Sequence, residues 1–313
     1  MKRKVGISTF DLQKLYGDRR AIEIAHEIGA DAIDFNLCDA YDYRKEGNLY
    51  ARTEKEIRSY FAELRDYAES LGLEIFQTHG RGTGFRNIPD EDDALITNAR
   101  LDCIATAALG ARYCVFHTVT TIFMGEHADP KLMHALNDDM YLRILPYARE
   151  NGVVVATETF GDATGKGCCD FFGNMKEFLN AYERIVASGE WKDWFRVCMD
   201  TGHTNKALRY NDNPSPEQAI RMLGDRIAVL HLHDNDTMTD QHKIPMTGCI
   251  DWNAVMDALD EVGYDDVYNL EVVLSHFGKN FAKEEAAFAV KVMRQMLKDR
   301  YGERVCIKNR KKY

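Results

Sequence analysis

Short runs rich in β-branched and aromatic residues alternate with amphipathic stretches of helical period along this chain. Candidate strands cover 5–10, 32–37, 73–79, 113–117, 153–158, 196–200, 227–231 and 267–271. Helical patterns fall near 18–28, 53–70, 92–109, 130–149, 174–187, 215–223, 252–261 and 281–299. Several helical patterns close on a glycine just ahead of the next strand, at Gly29, Gly72, Gly110 and Gly152, where a left-handed residue ends a helix. Eight strand-then-helix units in 313 residues have one economical closure, an α/β fold built as a single (β/α)8 TIM barrel. An open doubly wound sheet would want a Gly-x-Gly-x-x-Gly turn after its first strand, and the chain reads Asp11-Leu12-Gln13-Lys14 there. No linker of low complexity interrupts the series. Residues 1–313 are therefore expected to form one domain, with a basic, solvated tail over 301–313.

Such a barrel carries its chemistry at the carboxyl ends of its strands. Strand three ends on His79, four on His117, five on Glu158, six on Asp200 followed by Thr201-Gly202-His203, seven on His231 and eight on Glu271. One His or Glu at a strand end is ordinarily just solvated; six of eight strands ending so is hard to ascribe to solvation. The densest stretch runs over 229–251. His231 and His233 share a strand face, and Asp240 and His242 follow in a loop able to fold back over that strand end. Imidazoles and carboxylates gathered at one point suit a divalent transition metal such as Zn, Mn, Co or Fe. A polar, solvated loop is the plain alternative for this stretch taken alone.

The net charge of −10 argues against general affinity for nucleic acid or anionic membranes. No apolar run approaches a membrane span, and the start turns polar too soon for a signal peptide, so a cytoplasmic protein is expected. The eight cysteines, at 38, 103, 114, 168, 169, 198, 249 and 306, contain no Cys-x-x-Cys pair and read as reduced thiols. Vicinal Cys168 and Cys169 lie in a Gly-rich loop. The loop Gly80-Arg81-Gly82-Thr83-Gly84-Phe85-Arg86 reads as a substrate lid whose Arg81 and Arg86 meet a phosphate or carboxylate. Phe10, Asn36 and Phe160 are placed near a cavity, Trp252 at its rim or packing a helix start, and Trp191 and Trp194 on a barrel flank.

Glu158, Asp200-Thr201-Gly202-His203, His231-Leu232-His233-Asp234, Gly248-Cys249-Ile250-Asp251-Trp252 and Glu271 together resemble the xylose isomerase-like TIM barrel superfamily, over nearly the whole chain. That group includes sugar-phosphate isomerases and epimerases and the endonuclease IV family. The resemblance implies one divalent metal (Mn, Co, Mg or Zn) held by Glu158, Asp200, His231 and Glu271, with His233 as a substitute for His231 and His203 touching substrate. Endonuclease IV proteins hold three zinc ions, and the positions matching their additional ligands are His79, His117, His203, Asp240 and His242. Ketose 3-epimerases carry an Arg soon after the strand-seven His and a second Glu after the strand-five one; here those places read Asp236-Thr237-Met238-Thr239 and Gly161-Asp162.

The activity so implied is isomerisation or epimerisation of a carbohydrate by proton transfer through an enediolate, with Glu158 and Glu271 as base and acid. His203, His233, Arg81, Arg86 and Trp252 would contact substrate. Three alternatives stand beside it: a three-zinc phosphodiesterase on abasic DNA, elimination from a 3-oxo sugar, and a non-catalytic sugar-binding barrel. A small-molecule carbohydrate is the expected partner, nucleic acid and membrane are not, and a homo-oligomer is left open.

Overall fold

The computed structural model describes residues 3–302 apart from 39, 164 and 211. Its centre is a ring of parallel strands: β1 (Lys4–Ser8), β2 (Ala32–Asn36), β3 (Glu74–His79), β4 (Tyr113–Phe116), β5 (Val154–Glu158), β6 (Phe195–Asp200), β7 (Ile227–His231) and β8 (Val267–Leu270). Hydrogen bonding runs in chain order from β1 to β7, and β8 pairs with β1. The ring closes where Leu232 bridges Leu270, its N–H donating to the Asn269 carbonyl at 2.9 Å and its carbonyl accepting from Glu271 N–H at 3.2 Å. The expected α/β barrel is what the chain forms.

Period-two alternation sorts the strand residues into two apolar clusters. Val5, Ile7, Ile33, Phe35, Val155, Val197, Met199, Leu230, Tyr268 and Leu270 face outward and pack beneath the helices. Ala32, Val115, Ala156, Cys198, Val229 and Val267 belong to a second, smaller cluster and plug the barrel interior. The next inward positions, two residues further along, are Asp34, His117, Glu158, Asp200, His231 and Asn269. Alternation thus turns an apolar plug into a polar rim within one step.

Most expected elements stand within a few residues of their places, and three details differ. The first strand stops at Ser8 because Phe10–Tyr16 is already helical, which leaves Phe10 at the rim. Strand β6 ends at Asp200 as expected, and there Asp200 caps a helix that the sequence reading did not include, Thr201–Ala207, its Oδ1 accepting from His203 N–H at 2.6 Å. Cys168–Cys169 pairs antiparallel with Asp162–Ala163, two residues to each strand. The last helix is Ala282–Tyr301; the tail proper and Cys306 lie outside the described residues. Among the described residues no cysteine forms a disulfide. No helix among the described residues is long and apolar enough to cross a membrane.

Candidate metal centre

Glu158, Asp200, His231 and Glu271 come from, or just beyond, four successive strands, and each presents one ligand-type atom within 4.8 Å of the others'. His231 Nδ1 stands 3.2 Å from Glu158 Oε1 and 3.3 Å from Glu271 Oε2. Two further groups adjoin this one. His79 and His117 flank Glu158 from the other side, with His117 Nε2 3.1 Å and His79 Nε2 3.5 Å from Oε2. His203, His233, Asp240 and His242 gather beyond Asp200, where Asp240 Oδ2 lies 3.4 Å from His203 Nε2 and 3.5 Å from His242 Nε2. All nine residues matching metal ligands are therefore brought to one rim.

The loop after β7 does fold back. Asp234 and Lys243 exchange backbone hydrogen bonds, and the His242 ring lies flat on His233, with centroids 3.8 Å apart at 10°. His242 takes φ +43°, a left-handed conformation unusual outside glycine, held by its Nδ1 against the Glu271 carbonyl at 2.9 Å and by Val273 N–H on its own carbonyl. Gly202 makes room beneath: a Cβ there would fall 1.9 Å from the His233 ring. Both share the inward side, but His231 Nδ1 joins Glu158 and Glu271 whereas His233 Nε2 sits on Asp200 at 3.0 Å. His233, expected at the substrate, is fully buried beneath His242 and is not among the residues that line the cavity.

The donor set fits a divalent cation on two grounds. Both Glu158 oxygens and His231 Nδ1 are buried without a hydrogen bond, although such groups normally find partners. Neutral imidazole with carboxylate is the chemistry Zn, Mn and Co accept. Electrostatics agree. Burial pushes the Glu158 carboxyl up, yet the imidazoles of His231 and His117 outweigh it and hold it well below the ordinary range. Burial likewise opposes the charged form of Asp200, and His203 and His233 bring it down to about 2. His242, lowered by burial, is carried up to about 9 by Asp240 and Glu271. Protons here do what a cation would do, so a cation entering this donor set would displace them.

Above the rim is a cavity of about 290 Å³, lined by Ser8, Phe10, Asn36, Cys38, His79, His117, His242, Glu271 and Val272 among others. Larger hollows, of about 730 and 440 Å³, contain no histidine among their lining residues. Phe10 and Asn36 take their expected places, and Phe160 packs against the rings of His117 and His203. Trp191 is buried, as expected of a barrel flank.

Three residues expected at the substrate are engaged outside the cavity lining. Arg81 makes a bidentate pair with Asp102 at 2.7 and 3.0 Å and donates to the carbonyls of Tyr41 and Leu37, which engages four of its five N–H groups and keeps it out of the cavity lining. Its loop is no lid, because glycines let it pack tightly: a Cβ at Gly84 would lie 2.5 Å from Thr118 O and one at Gly80 2.8 Å from the Phe116 ring. Arg86 is exposed, stacked 4.2 Å over Phe123 and outside the cavity lining. Trp252 is buried, its indole N–H on Asp234 Oδ2 at 2.8 Å, where it anchors the turn over 248–251. Sequence reading missed Asp34, which meets His231; only its inward parity on β2 could have flagged it.

A sequence model of the xylose isomerase-like TIM barrel family matches residues 20–296. Among curated proteins, the chain is 27% identical over 176 residues to the uncharacterized protein y4fM of Sinorhizobium fredii, covering 55% of this chain and 50% of that one. It thus spans about half the length of that relative. It is 23% identical over 273 residues to an inosose isomerase of Bacillus velezensis, covering 85% and 87%. Among solved structures, a D-tagatose 3-epimerase-like protein superposes with a TM-score of 0.70 at 22% identity, covering 97% of this chain and 100% of that one.

Proposed function

Since the chain belongs to the xylose isomerase-like TIM barrel family, we propose that it is a divalent-metal-dependent isomerase or epimerase of a sugar or sugar derivative. The observation that carries this is the convergence of Glu158, Asp200, His231 and Glu271 beneath a cavity of substrate size. The names of the inosose isomerase relative and the epimerase-like structural neighbour point the same way. These four residues would hold the cation, which supplies Lewis acidity to a carbonyl oxygen and its neighbouring hydroxyl.

Glu271, partly exposed and lining the cavity, takes the proton from the carbon beside the carbonyl. Glu158, buried 3.2 Å from His231 Nδ1, returns one that reaches it from the His117 ring, whose Nε2 lies 3.1 Å from its other oxygen. The pair contributes about 10²–10⁴-fold per proton-transfer step. Phe10 and Val272 help wall the cavity from water. In protein purified without chelator, about one tightly held equivalent of Mn, Co or Zn is expected, together with deuterium uptake from heavy water at the carbon next to a ketose carbonyl. Protein that binds no divalent ion, or that exchanges no sugar proton across a panel of ketoses and inososes, would overturn the reading.

A second reading, hydrolysis of a phosphodiester by three zinc ions, is favoured by one observation: the two flanking groups around Glu158 and Asp240 are complete. Three zinc equivalents with cleavage of abasic DNA would select it.

A further inference from the structure

Part of the polar rim is not used by the chemistry above. Asp34 on β2, Gln77 on β3 and Asn269 on β8 all point into the barrel, Gln77 two residues before His79 and Asn269 two before Glu271. All three side chains are essentially inaccessible to solvent. Asp34 Oδ2 accepts three N–H groups: His231 Nε2 at 2.9 Å, Gln77 Nε2 at 3.1 Å and Asn269 Nδ2 at 3.2 Å. Among the described residues no lysine or arginine pairs with it, and His231 is the one partner able to carry positive charge. A carboxylate at the centre of a barrel is costly to desolvate and would be lost from a purely structural design in favour of an apolar group.

The direction of these bonds carries the argument. The two amides can only donate through nitrogen, so Oδ2 is an acceptor, and His231 Nε2 must bear the proton it shares with Asp34. The lone pair of the neutral ring is then on Nδ1, the atom that stands between Glu158 and Glu271. Gln77 and Asn269 hold the carboxylate so that it cannot swing away from the ring.

We propose that Asp34 is the positioning residue of the rim: it fixes the tautomer and the plane of His231, and so sets the strength with which the four-residue group holds its cation. This rests on the metal reading of the rim given above. It requires that a mutation outside the coordinating group, with no access to substrate, weaken metal binding through His231 alone.

Asp34→Asn keeps the volume and, with its carbonyl oxygen in the place of Oδ2, an acceptor for the three donors, but it removes the negative charge that His231 faces. Zinc affinity, measured by competition with a chromophoric chelator, is expected to fall about 10–100-fold. In a His231→Gln background the same substitution should cost little more, because the residue it acts through is gone. A merely structural role gives a different pattern: a lower melting temperature, zinc affinity within about threefold of wild type, and an equal penalty with and without His231. That pattern would overturn the proposal. If Asp34→Asn does not fold, ¹⁵N NMR of the zinc-loaded wild type decides: a proton on Nε2 of His231 with Nδ1 unprotonated supports it, and the reverse tautomer overturns it. Wild-type protein that takes up no zinc overturns the metal reading itself, an outcome distinct from wild-type binding that Asp34→Asn leaves intact.

Discussion

The rim is made of two kinds of ligand. Glu158, Asp200, His231 and Glu271 end strands or lie one residue past them, where parallel pairing fixes the backbone and alternation aims the side chain. Asp240 and His242 ride a loop whose shape rests on distant pins. Its Gln241 carbonyl meets His276 Nε2 at 2.9 Å, while the other nitrogen of that ring is 2.7 Å from Glu285 Oε1 on the last helix. Its backbone departs into positive φ at Thr237 and again at His242. The strand group is rigid because the barrel is rigid. The loop group is held by a few hydrogen bonds against local strain, so the two should fail differently when perturbed.

Glu158→Gln gives the largest effect, because this carboxylate belongs to both the strand group and the His79–His117 group. Turnover should drop at least about 10²-fold, with loss of bound metal and no change in the circular dichroism of the barrel. A variant retaining full activity and metal would remove the strand group from the chemistry. Arg81→Ala should do the opposite: about 3–5 kcal/mol of stability lost in urea unfolding, because Asp102 is left buried without its partner, with turnover per folded molecule unchanged. A fall in turnover without loss of stability would return Arg81 to the substrate.

How far the site can be read from the sequence follows the same division. Period-two alternation and the strand ends bring out the barrel and its strand-borne residues, since nothing but local geometry aims them. Arg81 could not be read that way. A Gly-rich segment with two arginines looks the same whether it is a mobile lid or a segment pressed against Thr118 and Phe116, and the distinction depends on contacts with β4 and the residues after it. Asp34 was hidden for a related reason: its partners His231, Gln77 and Asn269 lie on three other strands. The helix after Asp200 was missed because its seven residues, Thr-Gly-His-Thr-Asn-Lys-Ala, have weak helical propensity and no apolar stripe.

The loop group also gives the protein a pH signature. His242 is raised to about 9 in the folded chain by Asp240 and Glu271 against the pull of burial, so its contribution is fully present below about 6.5, its unfolded value, and is lost as pH rises through about 9. At full strength this amounts to about 3 kcal/mol. Chelator-treated protein should therefore lose thermal stability between about pH 6.5 and 9, and His242→Gln should flatten that slope. Metal uptake should release protons over the same window. A slope unchanged in His242→Gln would mean that the strand group carries the titration instead.

Asp240→Asn sharpens the division further, and its effect is expected to be the smallest. Asp240 reaches the loop histidines but not Glu158, Asp200, His231 or Glu271 as a member of their group. If proton transfer needs only the cation on the strand group, the substitution should reduce turnover about tenfold or less, through slackening of the loop that places His242 at the cavity wall. Tightly bound metal should stay at the wild-type count, and KM should shift more than kcat, because the loop shapes the cavity and not the base. A loss as deep as that of Glu158→Gln, with one metal equivalent gone, would show that loop and strand groups work as a single centre, and would move the assignment to the three-ion hydrolase.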